Sequence, residues 1–245
     1  MLNAEEELRK AVMHFWTTRS SQQESQGSVT GRKDAGSRGA VTGGKHADGF
    51  VALIAAIVRD AGLTDAVIHA KRKRTRTLPG YFRPSKEWDV VVSSDEDLIA
   101  VVEVKSQVGS FGNNFNNRVE EALGNAADFW AAYREGMFKP SQKPWLGYMF
   151  MLQETVGSTS PTRRVELSPF SVDLEFQTRS YAKRYELVCE RLLREKLYDA
   201  TCFFTSNSVT GVKGDYVQPN EELSIVKFAR SLYGCASAFA QIRSS

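Results

Sequence analysis

The chain has 245 residues, 42% of them hydrophobic, and no Pro/Gly/Ser linker divides it, so one domain over residues 1–245 is expected. A formal charge of +3 and a pI near 8.7 are too mild to establish a nucleic-acid partner; the distribution of charge must decide. Cys189, Cys202 and Cys235 are odd in number and lack CxxC spacing, which argues against a disulfide framework or a zinc site and for a reduced environment.

In chain order, MLNAEEELRKAV opens a helix expected over residues 2–16. It is acidic and lacks the basic head and apolar core of a signal peptide, and no run is long enough to span a membrane, so the expected setting is soluble and cytoplasmic. A polar, glycine-dense segment at about 17–49 follows, carrying Arg19, Arg32, Lys33, Arg38 and Lys45 with no hydrophobic period, which predicts a long basic loop. GFVALIAAIVRDAGL predicts a buried helix, and AVIHAKRKRTR a strand running into Arg72, Lys73, Arg74 and Arg76. That cluster suits phosphate contacts and a solvated strand end equally.

EWDVVVSSDEDLIAVVEVKSQ then predicts a β-hairpin, two β-branched runs joined by the polar turn SSDED. Strand side chains alternate, so Glu103 and Lys105 share a face while Val104 points into a core. Thirteen residues separate Asp89 from Glu103, enough for a strand, a turn and most of the neighbouring strand, so the two carboxylates can meet across the ladder. Two such oxygens suit magnesium, which keeps waters and phosphate oxygens as its other ligands. The alternative is a plain ion pair between Glu103 and Lys105. Asp95, Glu96 and Asp97 form a solvated turn, and His14, His46 and His69 have no metal-ligand spacing.

Downstream, a helix is expected from about Arg118 to Tyr133, then the strand WLGYMFMLQE, a loop holding Arg163 and Arg164, the helix RSYAKRYELVCERLLREKL, the strand DATCFFTSNS and a closing amphipathic helix. Asn113, Asn114, Asn116, Asn117 and Arg118 lie directly after the catalytic-looking strand. Asparagine can pair with adenine and arginine with guanine, so this stretch is a candidate for base readout; its alternative is a turn and helix cap.

The order of elements resembles the αβββαβ core of the PD-(D/E)xK nucleases, an α/β fold with a mixed central sheet flanked by helices. Asp89 and Glu103-Val104-Lys105 fall where that core keeps its active site, with Trp88 in place of the usual proline. The resemblance implies that Asp89, Glu103 and the Val104 carbonyl hold Mg2+, for which Mn2+ can substitute, and that Lys105 serves the attacking water or the transition-state charge. Other members add a helical carboxylate, for which Asp48 is the candidate.

The combination GSRGAVTGGKHADGFVALI, EWDVVV and AVVEVKSQVGSFGNNFNNRVEEALGNAADFW is similar to the XhoI family of type II restriction endonucleases over nearly the whole chain. That similarity implies a magnesium-dependent homodimer that cuts double-stranded DNA at CTCGAG after the first cytosine, leaving 5′ overhangs, with a cognate DNA methyltransferase as genetic partner. The readings to be weighed against it are a non-cleaving DNA-binding protein on a nuclease-like core and a less specific repair nuclease.

Overall fold

The computed structural model describes residues 2–27, 47–64, 66–70, 73–139, 141–167 and 169–244. Helix α1 (Ala4–Gly27) buries Leu8, Ala11, Val12, Phe15 and Trp16, the spacing of one apolar helical stripe. Helix α2 (Asp48–Asp60) crosses it closely enough that a Cβ on Gly49 would lie 2.9 Å from Ala11 Cα. A larger residue at 49 would push the two helices apart.

Strands β1 (Val67–His69), β4 (Val90–Ser94), β5 (Asp97–Gln107), β6 (Trp145–Gln153) and β7 (Ala200–Ser206) form one mixed sheet in the order β1-β4-β5-β6-β7. The first two pairings are antiparallel and the last two parallel. Parallel strands need both faces covered, and β6 and β7 are buried along nearly their whole length. Val90, Val92, Ala100, Val102, Met149 and Phe204 pack under α1, α2 and α6 (Ile225–Ser244). Val91, Val101, Tyr148, Phe150 and Phe203 pack under α3 (Phe111–Arg134) and α5 (Tyr181–Arg194). A short helix, α4 (Val156–Thr159), follows β6. Among the described residues no helix is long and apolar enough to cross a membrane.

Three expectations are corrected. The first helix does not stop at residue 16 but runs to Gly27, so the segment expected as loop at about 17–49 is helical over its first eleven residues. Beyond Trp16 the helix has lost its apolar stripe, and the polar sequence concealed it. Thr17 and Ser21 donate their hydroxyls back to the Met13 and Thr18 carbonyls, which satisfies them within the helix itself. Arg32, Lys33, Arg38, Lys45 and His46 lie outside the described residues.

The second correction is that α3 begins at Phe111, not near Arg118. Ser110, at φ 48°, and Gly109, at φ 70°, turn the chain in the left-handed region just before it. Phe111 and Phe115, four residues apart, then set the apolar face, Phe115 meeting Tyr185 with ring centroids 5.1 Å apart. The asparagines that suggested a turn occupy the outer side of these first two turns. Third, between the basic stretch and β4, where no element was expected, lies a separate two-stranded antiparallel sheet, β2 (Thr77–Pro79) and β3 (Ser85–Glu87). Its strands are three residues long and Pro79 and Pro84 interrupt any period, so no alternation was available to reveal it.

Candidate active site

The β4–β5 ladder pairs Val90 with Val102 and ends there, whereas the β5–β6 ladder continues to Gln107. Extending the antiparallel register by one residue sets Asp89 opposite Glu103, and opposed residues share a face. Past the end of β4 the Val104 N–H has no strand to pair with and donates instead to Asp89 Oδ2 at 2.9 Å. The N–H and C=O of one strand residue point to the same edge, so the Val104 carbonyl faces Asp89 as well.

Glu103 is 1% exposed and lies on the α3 side of the sheet. Lys105, two residues on and on the same face, pairs with Glu103 Oε1 and reaches Asp89 Oδ2 at 3.7 Å. A second ammonium, Lys86 on β3, lies 3.3 Å from Glu103 Oε1 and 3.1 Å from Oε2, and Asn125 Nδ2 donates to Oε1 at 3.4 Å. Burial raises the Glu103 pKa and the nearby Asp89 charge adds to it, while the two lysines pull the other way. For Lys105 burial opposes the charge, but Glu103 and Asp89 outweigh it and hold the ammonium above its ordinary pKa. The lysine therefore stays charged through the neutral range.

Lys86 and Asn125 were missed by sequence reasoning. Lys86 stood in the short, mixed stretch RPSKEWD with no period, and its role depends on the β2–β3 hairpin. Asn125 is two α3 turns past the asparagine stretch, and only the packing of α3 over β5 shows that it faces Glu103. The hairpin is anchored by Asp128, whose Oδ1 accepts the Tyr81 and Phe82 N–H groups at 2.8 and 2.7 Å and whose Oδ2 accepts from Arg83 Nε at 2.7 Å. Arg83 also donates to Asn125 Oδ1 at 3.0 Å. Burial alone would raise the Asp128 pKa, but these donors hold it below the ordinary value.

The other expected positions are spread more widely. Asn113, Asn116 and Asn117 are exposed on α3; Asn114 donates to the Ser110 carbonyl at 3.1 Å. Arg118 ties α3 to the end of β5, donating to Gln107 Oε1 at 3.4 Å and pairing with Glu121 at 2.6 Å. Arg74 is exposed on the 3-10 turn Lys73–Arg76, and Arg72 lies outside the described residues. Arg76 is not a free surface cation, since it pairs with Glu87 and donates to the Trp88 carbonyl at 2.9 Å. Arg163 and Arg164 are exposed between α4 and α5, with Arg164 3.9 Å from Glu166. Asp48 opens α2, and among the described residues no three acids, histidines or cysteines gather into one metal-binding group.

Two carboxylates and a backbone carbonyl facing one strand edge form an all-oxygen donor set, and a magnesium ion needs only one or two carboxylates from the protein. The residues fit such an ion. A mixed sheet with these groups beside a retained lysine, flanked by helices on both faces, defines a restriction-endonuclease-like core.

Comparison with known proteins agrees. Residues 25–218 match the family described as restriction endonuclease XhoI. The chain is 44% identical to the type II restriction enzyme BstVI of Geobacillus stearothermophilus over 219 residues, 87% of this chain and 96% of the relative. It is 44% identical to the type II restriction enzyme XhoI of Xanthomonas vasicola, covering 76% of this chain and 73% of that one. With AbrI of Azospirillum brasilense, also a type II restriction enzyme, the identity is 47% over 67% and 72% of the respective chains. No solved structure matches. The chain belongs to the XhoI family of type II restriction endonucleases, site-specific deoxyribonucleases of a class that generally requires a divalent metal ion.

Proposed function

We propose that this enzyme, working in the cytoplasm as a homodimer of a single 1–245 domain, cuts both strands of double-stranded DNA at CTCGAG after the first cytosine, with Mg2+ or Mn2+ as cofactor. The meeting of Asp89, Glu103 and Lys105 at the open edge of β5 carries this reading. Asp89, Glu103 and the Val104 carbonyl hold the ion. Bound there, it supplies charge neutralisation at the scissile phosphate and acidifies water. Lys105, kept charged by its two carboxylate neighbours, positions the attacking water and stabilises charge on the phosphate oxygens.

A palindrome presents the same base edges twice, so a twofold dimer uses one recognition surface twice and brings one active site to each strand. Asn113, Asn114, Asn116, Asn117 and Arg118 read bases. Arg72, Lys73, Arg74, Arg163, Arg164 and the basic residues Arg32, Lys33, Arg38 and Lys45 meet phosphates. A cognate methyltransferase protects the same site in the host.

Digestion of a plasmid of known sequence in Mg2+ tests the reading, with end mapping of the products. Discrete fragments with 5′ overhangs at CTCGAG are expected, and none in excess EDTA. A smear would instead indicate a less specific nuclease. No cutting with retained binding would indicate a DNA-binding protein that does not cleave.

A further inference from the structure

Lys86 is set against Glu103 with more care than an incidental surface pair requires. Its side chain is 13% exposed, and its ammonium lies 3.1 Å from Glu103 Oε2, 2.8 Å from the Glu87 carbonyl and 4.7 Å from the centre of the Trp88 ring. A carboxylate offers about four lone-pair sites. Oε1 already receives Lys105, Asn125 and, at 3.3 Å, Lys86, whereas Lys86 is the partner placed on Oε2. The two ammonium groups also balance the two carboxylates Asp89 and Glu103. A divalent ion added to that arrangement would face two like charges at contact range, so one lysine has to give way.

The two lysines differ in how they are held. Lys105 belongs to β5, a strand paired on both edges within the main sheet, and spans both carboxylates. Lys86 belongs to the two-stranded β2–β3 sheet, which shares no ladder with the main one. Its four-carbon stem can swing while the hairpin backbone stays pinned through Asp128.

We propose that Lys86 is the resident counter-ion of Glu103, a tethered ammonium that occupies the carboxylate until a divalent cation displaces it. This rests on the reading of Glu103 as a metal ligand. Lys86 then acts as a positioning residue in the metal-free enzyme and competes with the ion for the Glu103 carboxylate, so metal loading without DNA is weak by construction. DNA phosphates offer the displaced ammonium a new partner and thereby favour loading when substrate is bound.

The test is Mn2+ binding to the full chain without DNA, read by electron paramagnetic resonance of the free ion, for the wild type, Lys86→Met and Glu103→Gln. Lys86→Met is expected to bind Mn2+ at least about tenfold tighter and Glu103→Gln to lose binding. Equal or weaker binding by Lys86→Met, with Glu103→Gln still defective, overturns the competition alone. Unchanged binding by Glu103→Gln overturns the metal reading and the competition with it. A wild-type measurement covers the case in which Lys86→Met fails to fold: lysine acetylation quantified residue by residue, with and without saturating Mn2+, at equal ionic strength and without DNA. Acetylation of Lys86 should rise several-fold on adding the ion while Lys105 stays protected; an unchanged Lys86 rejects the displacement.

Discussion

Val104 gives its N–H to Asp89 Oδ2 at 2.9 Å, so the first amide on the β4 edge of β5 beyond that ladder is satisfied by a side chain and not by backbone. Asp89 thus has a structural duty as well as its proposed metal-binding one, and two substitutions separate them. Asp89→Asn keeps an acceptor oxygen and should melt close to the wild type, yet cleave at least about a hundredfold more slowly, the loss typical of removing one preorganised electrostatic group. Asp89→Ala should in addition lose about 1 kcal/mol of stability in denaturant unfolding. Near-normal cutting by the asparagine variant would remove Asp89 from the metal site.

Lys105→Ala leaves Glu103 with Lys86 and Asn125, so the variant should fold. Its cleavage rate in Mg2+ should fall by roughly 10²–10⁴, the usual scale for a proton-transfer or charge-stabilising side chain. DNA binding measured in Ca2+ should be within a few-fold of wild type. A parallel loss of binding would mean that Lys105 holds the duplex and not the reacting phosphate.

Asp128 anchors the hairpin, and its folded pKa lies below its unfolded one because two backbone amides and Arg83 donate to it. The stability it contributes is therefore complete above the ordinary aspartate pKa, about 3.9, and drains away as pH falls through the lower folded value. Asp128→Asn should lower the melting temperature clearly at pH 7, and the gap from wild type should narrow on acidification to about pH 3. A constant gap would show that shape, not charge, fixes the hairpin.

Asn117 is exposed on the second turn of α3, so Asn117→Ala should fold normally. If it reads a base, cleavage of the cognate site should drop far more than nonspecific binding, by the 1–3 kcal/mol or so of one lost bidentate contact per subunit. Arg118→Ala is a less clean probe, since it also frees Gln107 and Glu121. Wild-type preference at every base pair in both variants would move readout to other residues.

The thiols make a prediction independent of DNA. Burial pushes Cys189 and Cys202 far up and Cys235 up to about 11, so at pH 8 almost no thiolate is present. Iodoacetamide should modify the three slowly in the native enzyme, Cys235 first because it is the least buried, and all three rapidly in guanidinium. Fast native labelling of Cys202 would contradict its fully buried place on strand β7.

The long strands and helices were legible in the sequence because burial leaves a pattern: continuous β-branched apolar runs in β4 and β5, and apolar helical spacing on α2 and α5. The placing of Glu103 and Lys105 on one face followed from the two-residue repeat of any strand. What was not legible had no period to show. The polar end of α1 is helical without an apolar stripe, the first turns of α3 present asparagine outward, and the β2–β3 strands are too short to alternate. Lys86 and Asn125 reach Glu103 only through tertiary packing, from a hairpin and a helix whose placement no local spacing encodes.

The ladder from β5 to β4 stops at Val102 while the one to β6 runs on to Gln107, so the site is a notch cut by unequal strand lengths. Its depth is counted in residues. One residue inserted between Asp89 and Val90 would leave the β4–β5 register in place yet turn the carboxylate away from Glu103, strand the Val104 amide and shift the buried Trp88 ring against Phe129. A chain so altered would keep its sheet and lose its reactive corner. Within this architecture, chain-length changes at the start of β4 are therefore more damaging to the chemistry than most substitutions in the core.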